Sequence, residues 1–188
     1  MFFRTYNFFM IILTGASASG KTVTALGLQH KYNLKKAITS TTREMRTGEV
    51  NGVDYFFYTK EEFLKRKDEG KFVETTLYNN NYYGCGKDQV SDDKVIVLDP
   101  NGVHSFKALK DKSIVTFLLT CDAKTREERM ILRGDYPPMI KARLQNDVRD
   151  FDKSVIGKVE FEIDTKNKSI DEVIDTVYKL YKDYLIKK

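Results

Sequence analysis

Residues 15–22 read Gly15-Ala16-Ser17-Ala18-Ser19-Gly20-Lys21-Thr22, which fits the pattern G-x-x-x-x-G-K-[ST]. They follow a short continuous apolar run, Met10–Leu13, that ends in Thr14-Gly15 and reads as a buried strand. A helix is expected to open at Gly20 and run to about His30. This setting gives the pattern a physical meaning. Glycines let backbone N–H groups curl around phosphate oxygens where a side chain would collide. The helix behind the loop points its positive end at the same anion. Lys21 adds a charge near the β- and γ-phosphates, and the Thr22 hydroxyl can ligate Mg²⁺. Gly15, Ala16, Ser17, Ala18, Ser19, Gly20, Lys21 and Thr22 are therefore the expected triphosphate site. The loop points to a nucleoside triphosphate without fixing the reaction.

The rest of the chain repeats the strand–helix rhythm. Val95–Leu98 and Ser113–Thr120 are further buried runs, and Val159–Ile163 alternates like an edge strand. Thr59–Glu62, Thr125–Glu128 and Ser169–Glu172 read as capping boxes. The last opens a helix with Ile170, Val173, Ile174, Val177, Tyr181, Tyr184 and Leu185 on one face. Strands alternating with helices imply an α/β fold, a parallel sheet flanked by helices. The stretch 48–86 interrupts the rhythm with GEVNGVDYFFYT and KFVETTLYNNNYYGCG, the composition of a small inserted β lobe. The stretch 134–139 (GDYPPM) reads as a mobile lid between two arginine-bearing helical runs.

Composition narrows the class. In 188 residues, 41% hydrophobic and 31% charged, there is material for a core and a solvated surface. No apolar run approaches the roughly 18 residues of a membrane span. The first twenty residues carry one positive charge and only a six-residue apolar stretch, Phe8–Leu13, too short for a secretory signal. Cleavage after Ala16-Ser17-Ala18 would also cut the phosphate loop. Residues 1–9 read as an N-terminal extension. Two cysteines, Cys85 and Cys121, read as free thiols in a reducing, cytoplasmic compartment. The net charge of +5 favours anionic partners. It is modest, and mononucleotide phosphates account for much of it, so neither nucleic acid nor a membrane is an expected partner.

A second phosphate site is suggested by Thr39-Ser40-Thr41-Thr42-Arg43-Glu44-Met45-Arg46. Two arginines three apart beside a hydroxyl run suit a phosphate monoester, because guanidinium groups pair with phosphate bidentately. Tyr55 can add a hydroxyl donor to the same phosphate.

The phosphate loop, then S-T-T-R-x-x-R-x-G-E-V-x-G-x-D-Y over residues 40–55, then Glu74 and Asn80 or Asn81 with Tyr82-Tyr83-Gly84, resembles the guanylate kinase family over about residues 10–186. The resemblance implies a P-loop kinase core (about 10–40, 92–128 and 155–188), a β-rich monophosphate-binding lobe (about 41–91) and a short helical lid (about 129–150). It implies that Arg43, Arg46, Tyr55 and Tyr83 hold the phosphate of GMP, and that Thr39 and Glu74 read the guanine. A carboxylate suits guanine, which presents N1–H and N2–H₂ donors on one edge. Asp99 would sit near the acceptor and, through water, near Mg²⁺. Arg129 and Arg133, four apart on one helix face, and Arg143 on the next helix resemble lid arginines that act with Lys21 on the transferring phosphate.

The chain departs from the family in places. Of the usual Asp-x-Asp after the second core strand, Val97-Leu98-Asp99 keeps only the second member. Cys85 and Gly86 stand where hydroxyl residues are usual, Thr39 stands for serine, and the lid is slightly shorter. The implied reaction is reversible phosphoryl transfer from ATP to GMP by a monomer or homodimer. The alternatives are a related kinase acting on dGMP or another nucleotide, and a non-catalytic protein-binding module of the same fold.

Overall fold

The computed structural model describes residues 10–186 apart from 79, 92 and 112, so the extension expected over 1–9 lies outside the described residues. Along the chain come β1 (Met10–Thr14), α1 (Lys21–Tyr32), β2 (Lys35–Lys36), β3 (Ser40–Thr41), β4 (Phe56–Phe57), α2 (Lys60–Asp68), β5 (Phe72–Tyr78) and β6 (Asn81–Gly86). Then follow β7 (Lys94–Val97), α3 (Pro100–Ala108), β8 (Ile114–Thr120), α4 (Ala123–Leu132), α5 (Pro137–Asp150), α6 (Lys153–Ile156), β9 (Phe161–Asp164) and α7 (Ile170–Ile186).

The main sheet has the order β2-β7-β1-β8-β9, and every pairing in it is parallel. The expected α/β architecture is the observed one. Alternation along β1 divides its residues between two helical layers. Ile11 and Leu13 pack with Val115, Phe117 and Leu119 of β8 against α1 and α7, through Leu28, Ile174, Val177 and Tyr181. Met10 and Ile12 face the other way, with Ile96, Leu118 and α3's Val103 and Phe106. Helix α1 lies close on α7 because Gly27 has no side chain. A Cβ there would fall 2.0 Å from Ile174 Cδ1. Among the described residues no helix is long and apolar enough to cross a membrane.

Two expectations need correction, and one strand was not anticipated. Helix α4 does not use Thr125 as its cap. It starts earlier, with Asp122 accepting the Thr125 N–H at 3.1 Å and the Thr125 hydroxyl at 2.8 Å. Asp is at least as good an N-cap as Thr. Helix α7 does carry its capping box, with Ser169 N donating to Glu172 and Glu172 N to the Ser169 hydroxyl. Ile170, however, is 46% exposed in its first turn and does not join the buried face. Strand β2 had no apolar signal in Lys35-Lys36. It exists as an edge pairing with Lys94 and Val95.

Residues 40–86 build a second sheet, of order β4-β3-β6-β5. Its β5–β6 hairpin is antiparallel, with Glu74 opposite Cys85 and Thr75 opposite Gly84. Gly84 also pairs with Ser40 of β3, so three strands meet at this point. Helix α2, with Thr59 and Glu62 forming the expected capping box, plugs the sheet's inner side. Its fully buried Phe63 stacks on Phe72 at 4.5 Å and on Tyr82 at 5.5 Å.

Candidate active site

The loop between β1 and α1 sits at the carboxyl edge of the parallel sheet, where ligands of open α/β sheets bind. Gly15 is required there: its φ is +145°, and a Cβ would lie 2.2 Å from the Leu119 carbonyl oxygen on β8. Ala18 and Gly20 also take positive φ, 60° and 99°. Backbone of this kind gathers N–H groups into an anion-binding concavity. No side chain caps the first turn of α1, so its free N–H groups remain available to an anion. The Lys21 ammonium folds back over the loop and donates to the Gly15 and Ala16 carbonyls at 2.6 and 2.8 Å. Burial pushes Lys21 down to about 8, against the pull of Asp147 and with help from Arg126 and Arg133.

A cavity of about 450 Å³ opens over this loop, lined by Ser17, Ala18, Gly20, Lys21, Thr22, Val23, Arg129, Arg133, Arg143 and Ile170. All three arginines expected from the sequence reach it, in two different states. Arg129 is braced against the protein, donating to Ala18 O at 3.2 Å and to the Thr165 hydroxyl and carbonyl at 3.2 and 2.8 Å. Arg133 and Arg143 instead share one carboxylate, Asp135, at 2.5 and 2.7 Å. The Arg133 guanidinium, then Arg143, hold Asp135 below the usual carboxylate range. Asp135 thus stands where a phosphate group of the same charge would compete for both arginines.

Thr22 also borders a second cavity, of about 340 Å³, together with Thr39, Tyr55 and Val97. On its lobe side Arg43 packs over the rings of Tyr55 and Phe57, each centroid 5.7 Å away, with Tyr83 beside it. Tyr55 and Tyr83 meet edge to face at 6.3 Å. Arg43 is held bidentately by Glu49 at 2.7 and 3.0 Å. The same carboxylate accepts the Arg46 N–H at 2.7 Å, leaving the Arg46 side chain exposed. Arg43, Tyr55 and Tyr83 therefore converge, with Arg46 on the rim.

Glu74 lies deeper, next to the strand junction. Its carboxylate accepts the Cys85 N–H at 3.0 Å. Burial, and secondarily the neighbouring Asp99 charge, push Glu74 up to about 7. Asp99 itself caps α3 by accepting the Gly102 N–H at 2.8 Å. Cys85, singled out as a missing hydroxyl, is fully buried in the core layer of Ile12, Ile96 and Leu98. Burial pushes its thiol up to about 12. Thr39 sits one residue before the Ser40–Gly84 pair and lines the second cavity, whose wall does not include Glu74.

Among the described residues no group of three or more His, Cys, Asp or Glu is arranged around a cation. The available oxygen donors are the Thr22 hydroxyl on the cavity wall and the exposed Asp99 carboxylate. Few protein oxygens beside a phosphate site fit Mg²⁺, which keeps waters and takes substrate phosphates as ligands.

Sequence reading missed Glu49, Asp135, Arg126 and Asp147. Each is a carboxylate or guanidinium whose role depends on the partner folding gives it; Glu49 and Asp135 stand inside stretches already singled out, GEV and GDYPPM, but nothing in those stretches names their arginine partners.

A family model described as guanylate kinase matches residues 9–184. Guanylate kinase from Helicobacter pylori is 32% identical over 148 residues, covering 74% of this chain and 72% of that protein. Guanylate kinase from Synechocystis is 31% identical over 179 residues, covering 91% and 92%. The crystal structure of guanylate kinase from Anaplasma phagocytophilum has the same fold, with a TM-score of 0.65 at 22% identity over 93% of this chain and 85% of that one.

Proposed function

We propose that the chain, which belongs to the guanylate kinase family, transfers the γ-phosphoryl group of ATP directly and in line to GMP. The observation that carries this reading is Thr22, which borders both the arginine-lined phosphate cavity and the cavity of Thr39 and Tyr55. A donor on the loop and an acceptor on the lobe would meet across that residue.

In this reading ATP occupies the loop from Gly15 to Thr22, and GMP has its phosphate on Arg43, Arg46, Tyr55 and Tyr83 and its base on Thr39 and Glu74, with Asp99 alongside. The acceptor phosphate is already an anion, so no strong general base is needed. Catalysis is positioning and charge neutralisation. Lys21 turns from the Gly15 and Ala16 carbonyls to the transferring phosphate, while Arg129 steadies the loop. Arg133 and Arg143 exchange Asp135 for phosphate oxygens as the lid (about 129–150) closes over the core and the lobe (about 41–91) and excludes water. Mg²⁺ arriving with ATP, held by Thr22 and through water by Asp99, would neutralise charge on the β- and γ-oxygens. Free Cys85 and Cys121 suit a reducing cytoplasm.

The test is a coupled ADP-release assay with ATP, Mg²⁺ and GMP, dGMP, AMP, CMP, UMP or dTMP as acceptor. Turnover confined to guanine nucleotides is expected; equal rates with AMP, or none with any acceptor, overturn the reading. Arg43→Ala should raise KM for GMP and dGMP alike, roughly tenfold to a hundredfold, because it removes a charge-assisted bidentate contact. It also leaves Glu49 beside the phosphate with only the Arg46 N–H as partner. A base-selective effect would show that Arg43 does not hold the phosphate.

A further inference from the structure

We infer that Asp147, clamped by Arg126, is a positioning residue that holds the phosphate loop in its nucleotide-binding shape from helices α4 and α5. The inference rests on the kinase reading of that loop. Arg126 stands on α4 and Asp147 on α5, and their side chains pair at 2.6 Å while the residues are 5% and 8% exposed. All three polar groups of Ser17, the third residue of the loop, end on this pair. The Ser17 N–H donates to Asp147 Oδ2 at 2.9 Å and its hydroxyl to Oδ1 at 3.2 Å. Its carbonyl accepts from Arg126 at 3.3 Å. Arg126 is fixed in turn by Cys121 O at 3.2 Å, in the turn that follows β8.

The pair is poorly explained by stability. Asp147 lies in the last turn of α5, where the helix dipole disfavours a negative charge. A buried ion pair can often be replaced by apolar residues at no cost in stability. What the pair does supply is restraint on a loop that has adopted positive φ at Ala18 and Gly20, conformations that persist only when the surroundings hold them. It also places a carboxylate near Lys21, whose ammonium otherwise faces Arg126 and Arg133 in a desolvated setting. Arg129 and Arg143 line the same cavity.

Two variants separate positioning from folding. Arg126→Leu with Asp147→Ala removes the pair and leaves an apolar contact. It should keep Tm within a few degrees of the parent, yet weaken ATP binding, read by titration calorimetry, about tenfold or more. Asp147→Asn keeps the shape and removes the charge. It should weaken ATP binding clearly less than the double variant, because one amide oxygen can still accept the Ser17 N–H. A double variant with parental ATP affinity overturns the inference, as does an Asp147→Asn variant that binds ATP no better than the double variant. A double variant too unstable to purify overturns it as well, since the pair would then serve the fold. A parent protein that binds no ATP would instead overturn the kinase reading.

Discussion

Lys21→Ala is expected to lower kcat by about 10²-fold or more, the scale of removing one preorganised charge from a transition state, while the protein stays folded. The side chain reaches over the loop to bond the Gly15 and Ala16 carbonyls and belongs to neither core layer, so no apolar packing is lost. The parent should also lose ATP affinity as pH rises through about 8, because burial has already brought Lys21 down to that range. The sign follows from the charged form being the one that meets phosphate: deprotonation removes attraction. The residual activity of Lys21→Ala should lack this limb. A folded variant with near-parental kcat would show that the loop binds something other than the transferring triphosphate.

How much of this could be read from the sequence depends on the range of the interaction. The parallel sheet was legible because Met10–Leu13, Val95–Leu98 and Ser113–Thr120 are apolar runs with turn signals around them. The loop was legible because backbone curvature needs glycine at fixed spacing, and Gly15 and Gly20 do take positive φ. Strand β2 was not, since two exposed lysines pair at an edge through backbone alone. Ile170 was misplaced because helical spacing alone does not say where a helix's first turn emerges from the core; here it meets the phosphate cavity. The site's counter-charges were out of reach for another reason. Glu49 pairs with Arg43 six residues away, Asp135 with Arg143 eight away, and Asp147 with Ser17 130 away. Each belongs to a contact that folding creates. Cys85 shows the converse: a position where the family usually has a hydroxyl is occupied by a side chain turned into the core.

Glu74→Gln is expected to move activity and stability in opposite directions. The parent carboxylate is placed against the Cys85 N–H in a setting where burial and then Asp99 raise it to about 7 from its ordinary 4.5. Gln keeps the acceptor for Cys85 and removes the charge. Toward guanine it presents an amide donor that N1–H and N2–H₂ cannot use, and a site built on paired hydrogen bonds discriminates strongly when one pair is mismatched. On the guanine-reading role, kcat/KM for GMP should fall roughly 10²-fold, about 2–3 kcal/mol, with KM for ATP nearly unchanged. Stability should rise. A carboxyl whose folded value exceeds its unfolded value binds more protons when folded, so the parent loses stability as pH rises from 4.5 to about 7 and carries the full penalty above that. The Tm advantage of the variant should therefore be absent below pH 4.5, grow across this window and level off. In the parent, GMP affinity should decline as pH falls below about 7, because a protonated carboxyl offers guanine a donor in place of an acceptor. GMP's own phosphate protonates near pH 6, and the same titration on Glu74→Gln subtracts that contribution. If the variant phosphorylates GMP as well as the parent while gaining the Tm, then the buried charge is a cost without a guanine to justify it. The base reader would then have to be sought at Thr39 and Asp99.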